Sequence, residues 1–228
     1  MEKHIFVIEG RSASLYSSKN AASPLLILNV YSDDVDAVTA VIMKEICKDN
    51  GFDFHLLVIH QLRWEHDMTP WPCSPVAKND PACTGGADEY LKILTTQIIP
   101  QAKSIIHGEP AYIGMVGYSL AGLFALYAIY KSDIFDCVAS VSGSLWFPEF
   151  KDYVMNHAFC KRPMRIYISL GNREAYTKNA YLKSVQTNSE DMVEHYRSLG
   201  VDVIWEINQG NHFKDVEVRI AKGMRALL

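Results

Sequence analysis

Apolar runs of strand length alternate with segments of helical period along most of this chain, and that alternation constrains the fold more than any other feature. Residues 25–30, 54–59, 112–117, 136–141, 165–170 and 201–207 read as buried strands. Between and after them, Val35–Lys48, Ala87–Ile106, Leu120–Lys131, Asn179–Leu199 and Asp215–Leu228 read as helices. Strands that alternate with helices imply βαβ units. The expected fold class is α/β: a mostly parallel, doubly wound sheet with helices on both faces, in three layers. Such sheets place ligands at the carboxyl ends of their strands.

Local signals set the boundaries. Asp33 and Asp34 open the first helix, where acidic residues suit the positive end of the helix dipole. Asn50-Gly51 ends it. Pro100 predicts a kink near the end of the helix over 87–106, and Gly200 closes the long helix over 179–199. Ile5–Ile8 is strand-like and suggests a hairpin edge. The Ser-rich stretch 11–23 reads as turn or loop, with room for one short strand. Residues 60–86 form a long connection containing four prolines and Gly85-Gly86; loops of this length in compact domains are often functional. No composition shift marks a boundary, so one domain over 1–228 is expected.

Composition narrows the function class. The 228 residues are 49% hydrophobic and 21% charged, with a formal net charge of −4. No basic face is implied, which argues against nucleic acid as a partner. Met1–Gly10 has an apolar run of only four residues before Glu9, unlike a signal peptide. The longest apolar candidate, Leu120–Tyr130, falls short of the roughly 18 residues a membrane span needs. A cytoplasmic protein without membrane association is expected. The five cysteines show no zinc spacing. Cytosolic thiols stay reduced as a rule; Cys73 and Cys83 share one loop, where a bridge is the alternative. Cys47 and Cys137 sit in apolar contexts and read as core residues.

The chemistry is carried by Gly117-Tyr118-Ser119-Leu120-Ala121-Gly122. An apolar strand precedes it and an apolar helix follows, the context of a nucleophile elbow. The tight turn needs small residues two positions either side of the Ser. Gly117 meets that on one side; Ala121 stands where Gly is commoner on the other. The competing reading is a Ser that merely caps a helix. A hydroxyl is a poor nucleophile without a base, and in such folds the order is Ser, acid, His. His212, in Gly210-Asn211-His212-Phe213, follows the last strand. Glu174 is the first carboxylate after the strand over 165–170; its alternatives are capping the next helix or pairing with Arg173. Glu190, Asp191 and Glu194 come later and read as solvated. His157 and His195 read as helix residues. The backbone N–H of Leu120 is one expected oxyanion donor, and Tyr31 or Ser32 supplies the second by topology.

These residues resemble the putative-esterase family of α/β-hydrolases, whose members include ferric enterobactin esterases and S-formylglutathione hydrolases. The likeness rests on residues 117–122, Ser142-Gly143-Ser144-Leu145-Trp146-Phe147, Ser169-Leu170-Gly171-Asn172-Arg173-Glu174 and Gly210-Asn211-His212-Phe213, and runs from about residue 24 onward. Thr69-Pro70-Trp71-Pro72 with Gly85-Gly86-Ala87 is similar to the loop and helix preceding the elbow in the siderophore-esterase branch. The resemblance implies an α/β-hydrolase fold and a serine esterase with no metal or organic cofactor. It implies a small-molecule ester as substrate, with Ser119, His212 and Glu174 at the triad positions. Ala121 departs from the family pattern. The N-terminal part also leaves little room for the extra strands of full-length siderophore esterases, so a small acyl ester competes with a siderophore.

Trp64, Trp71, Trp146 and Tyr118 are candidates for the substrate pocket, with core packing as the alternative for the tryptophans. Arg63 and Lys178 are either solvated or placed to meet an anion. Acyl transfer on the same residues and a non-catalytic binding protein remain as alternatives, and a monomer or homodimer fits the chain.

Overall fold

A computed structural model describes the protein except for Asp33, Asn50 and residues 77–79. The chain runs β1 (Glu2–Ile8), β2 (Arg11–Ser17), β3 (Leu25–Asn29), α1 (Val35–Ile46), β4 (His55–His60), α2 (Trp64–Asp67), β5 (Pro72–Cys73), β6 (Cys83–Thr84) and α3 (Ala87–Ile93). It continues α4 (Ile99–Ile106), β7 (Ile113–Tyr118), α5 (Leu120–Lys131), β8 (Cys137–Val141), α6 (Phe150–Asn156), β9 (Arg165–Gly171), α7 (Ala180–Lys183), α8 (Val185–Ser198), β10 (Asp202–Asn208) and α9 (Val216–Leu227). Among the described residues the main sheet has eight strands in the order β1-β2-β4-β3-β7-β8-β9-β10. β2 is antiparallel to both neighbours, and β4 through β10 in that order are parallel.

The period of two along each strand sends alternate side chains to opposite layers. In β3, Leu25 and Ile27 face the layer of α3, α4, α5, α6 and α8. Leu26 and Leu28 face the layer of α1 and α9. α5 is apolar all round: residues 120–130 are all buried. It crosses the centre of one layer, where each fully buried Leu, Ile or Phe contributes about 1.5–3 kcal/mol. No helix among the described residues is long and apolar enough to cross a membrane.

Several boundaries differ from the sequence reading. Residues 11–17 form a full strand rather than a loop. β2 lies inside the sheet between β1 and β4; Ala13 and Leu15 join the apolar core, Arg11, Ser12 and Ser14 are buried as well, and the serines conceal the pattern. A π turn at Leu94–Ile98 interrupts the α-helical pairing of the helix over 87–106, and Pro100 falls in the first turn of α4. The helix over 179–199 divides at Ser184 into α7 and α8. Asp34 caps α1, its Oδ1 accepting from the Ala37 N–H at 3.0 Å. Asp33 and Asn50, assigned to the two ends of that helix, lie outside the described residues. Cys47 is exposed, in the 3-10 turn after α1, whereas Cys137 is in the core. All five cysteines are free thiols.

Candidate active site

Ser119 is the single residue between β7 and α5, with φ 59° and ψ −122°. A non-glycine residue in such backbone costs on the order of 1–3 kcal/mol and persists only where the surroundings enforce it. Here its N–H donates to the Val141 carbonyl at 3.2 Å. Its carbonyl accepts from Gly122, Leu123 and Ser144 N–H groups at 3.0, 3.2 and 3.0 Å. A Cβ at Gly117 would collide with the Ala121 carbonyl, and one at Gly122 would stand 2.9 Å from the Gly143 Cα. Ala121, by contrast, is fully buried with its methyl in the core. The turn therefore demands glycine at 117 and accepts alanine at 121.

The Ser119 side chain makes no capping bond to α5. Its Oγ lies 3.1 Å from His212 Nε2, and His212 Nδ1 lies 2.7 Å from Glu174 Oε2. His212 follows β10, Glu174 follows β9 and Ser119 follows β7, so neighbouring carboxyl ends of the sheet bring these side chains into line. Glu174 Oε1 accepts from the Gly171 N–H at 2.6 Å and from Arg219 Nη1 at 3.1 Å. Glu174 neither caps a helix nor pairs with Arg173. Burial alone would raise its pKa. The His212 hydrogen bond and charge, the Gly171 N–H and the Ser142 hydroxyl outweigh burial and hold it below the ordinary carboxylate value. The Tyr118 hydroxyl donates to the His212 carbonyl at 2.6 Å, with the two rings 5.3 Å apart. Burial comes first among the causes that raise the pKa of that phenol.

Two cavities meet at Ser119. One, of about 380 Å³, is lined by Asn29, Tyr31, Trp64, Tyr118, His212 and Ile220, among others. The second, of about 270 Å³, is lined by Trp64, Cys83, Leu120, Ser144, Trp146 and Leu182, among others. Tyr31 and Ser32, at the end of β3, both border the first. Leu120 opens α5, where the first-turn N–H groups have no helical acceptors. Trp71 does not belong to either cavity and is corrected to a packing residue. Its ring lies among Tyr127, Phe147, Phe150 and Tyr153, and its Nε1 donates to the Pro148 carbonyl at 3.0 Å. Arg63 is engaged by Glu89 and Asp67, and Lys178 is exposed away from both cavities.

The sequence reading assigned no role to three residues beside the site. Ser144 places its Oγ 3.4 Å from that of Ser119. Ser142, fully buried, accepts from Arg219 Nη1 at 3.1 Å. Arg219 itself has the appearance of an ordinary helix charge. Ser142 and Ser144 stand at the carboxyl end of a strand, which was the available signal; Arg219 offered none.

This architecture, with its strand-to-helix elbow, is the α/β-hydrolase fold. Solved structures agree with it: an IroE-like serine hydrolase from Shewanella oneidensis has a TM-score of 0.79 at 17% identity, covering 99% of this chain and 79% of that one. The siderophore hydrolase EstA from Aspergillus nidulans has a TM-score of 0.74 at 16% identity, covering 99% and 93%. The model of the Putative esterase family matches residues 39–202, and the chain belongs to that family. It is 28% identical over 131 residues to the siderophore enterobactin esterase of Emericella nidulans, covering 50% of this chain and 43% of the relative. It is 26% identical over 137 residues to the uncharacterized protein YbbA of Bacillus subtilis (strain 168), covering 59% and 55%. The chain thus spans about half the length of the curated relatives it matches.

Proposed function

We propose that this protein is a serine hydrolase that cleaves carboxylic esters through Ser119, His212 and Glu174. The observation that carries the reading is the unbroken line from Ser119 Oγ to His212 Nε2 at 3.1 Å and from His212 Nδ1 to Glu174 Oε2 at 2.7 Å. With Nδ1–H donating to Glu174, Nε2 presents its lone pair to the hydroxyl. Ser119 Oγ attacks the ester carbonyl as Nε2 takes the proton, and the imidazolium then gives it to the leaving alcohol. The backbone N–H groups of Leu120 and Tyr31 stabilise the tetrahedral oxyanion. Water, activated by the same imidazole, releases the acid from the acyl-enzyme.

Membership in an esterase family supports this chemistry. The relative named as a siderophore enterobactin esterase makes enterobactin-type lactones worth trying as substrates. The test is hydrolysis of short p-nitrophenyl esters and a catecholate lactone, with labelling by a fluorophosphonate. Ser119→Ala abolishes labelling and lowers kcat/KM by at least about 10³-fold. Equal rates for the two proteins defeat the reading. Because the base must be neutral, kcat/KM falls on the acid side of its pH profile. A competing alcohol in the assay separates hydrolysis from acyl transfer by its ester product.

A further inference from the structure

Arg219, on the first turn of α9, is only 1% exposed and is the bulkiest of the fully buried side chains. Its Nη1 lies 3.1 Å from Glu174 Oε1, 3.1 Å from Ser142 Oγ and 3.4 Å from the Tyr118 hydroxyl; its Nη2 donates to the Gln209 carbonyl at 3.0 Å. Each acceptor is tied to the candidate catalytic line. Tyr118 donates onward to the His212 carbonyl, and Gln209 begins the loop that carries His212. A planar guanidinium can serve these acceptors together because its donors diverge in a fixed fork; a lysine cannot.

We propose that Arg219 is a positioning residue for the reaction: it occupies Glu174 Oε1 so that Oε2 stays on His212 Nδ1. The inference rests on the ester-hydrolase reading above. The carboxylate has two oxygens, one facing the imidazole and one facing the guanidinium. With Oε1 held by Arg219 and the Gly171 N–H, rotation of the carboxylate away from the imidazole would break two bonds.

The experiment is a double-mutant cycle. Arg219→Met is made in the wild type and in Glu174→Gln, with kcat and KM for p-nitrophenyl acetate measured from pH 5 to 9 and fluorophosphonate labelling of Ser119 followed in parallel. In the wild-type background Arg219→Met lowers kcat by about 10²-fold with little change in KM, the size expected for a misplaced catalytic group. In Glu174→Gln the further loss shrinks below about threefold, because the two residues act as one unit. Equal losses in both backgrounds, or a loss carried by KM instead of kcat, overturn the proposal and leave Arg219 a structural ion pair. Should Arg219→Met lack a cooperative melt, Arg219→Lys carries the test: the charge stays, while kcat falls because the fork is lost. A wild-type kcat for Arg219→Lys then overturns it. Absence of labelling at Ser119 in the wild type is a different failure, that of the hydrolase reading itself.

Discussion

At the scale of the residue, the elbow separates two positions that look equivalent in the sequence. Gly117 and Ala121 flank Ser119 symmetrically, yet only Gly117 is pressed against backbone. Gly117→Ala has no flexible neighbour to displace, so it destabilises by about 3 kcal/mol, at the upper end for overpacking. Ala121→Gly removes a buried methyl from the second residue of α5 and costs about 1 kcal/mol through helix propensity, leaving kcat unchanged. Thermal melting and ester hydrolysis of the two variants check both expectations. An inactive Ala121→Gly would show that the methyl shapes the site. Ser119 illustrates the same point differently. Its motif fits a helix cap or a nucleophile; the side chain makes no capping bond and lies 3.1 Å from His212, which supports the second reading.

At the scale of the element, the long connection over 60–86 is structured by packing that its prolines do not advertise. α2 and the β5–β6 hairpin fold within it. Asp67 in α2 is fully buried against Arg11 of β2, with Arg11 Nη2 and Nε at 2.7 and 3.0 Å from its carboxylate. This pair ties the connection to the sheet, and Trp64, one turn earlier, borders both cavities at Ser119. Cys73 and Cys83 face each other across the hairpin as free thiols. Burial, then the charge of Cys73, pushes the Cys83 thiol up to about 11. Burial pushes Cys137 up to about 12. A thiolate is the reactive form, so a disulfide reagent at pH 8 modifies exposed Cys47 and Cys160 first. Cys83 and Cys137 react only with denaturant present. Mass spectrometry of the labelled peptides reads the order, and labelling of Cys137 in the native protein would contradict its place in the core.

At the scale of the whole molecule, stability and site share one charge. Glu174 is held below the ordinary carboxylate value when folded, so the unfolded chain binds its proton more readily in that window. The resulting stabilisation is fully present above the unfolded value, about 4.3, and is lost as pH falls through the lower folded value. Melting temperature is therefore flat with respect to this group above about pH 5 and falls below about pH 4. Glu174→Gln has a shallower acid slope, and identical slopes for the two proteins would refute the linkage.

The layered architecture was legible from the amino-acid order alone, because strand and helix periodicities are local and the period of two dictates which side chains enter each layer. So was the succession Ser119, Glu174, His212, because a parallel sheet presents the ends of its strands along one edge. β2, Trp71 and Arg219 took their roles from tertiary packing. β2 takes its place in the sheet by pairing with β4, a strand far from it in sequence, and Trp71 is drawn into an aromatic cluster built from α5 and α6. Arg219 meets Glu174 across 45 residues of chain. Such contacts depend on how whole elements pack, and no local pattern encodes them.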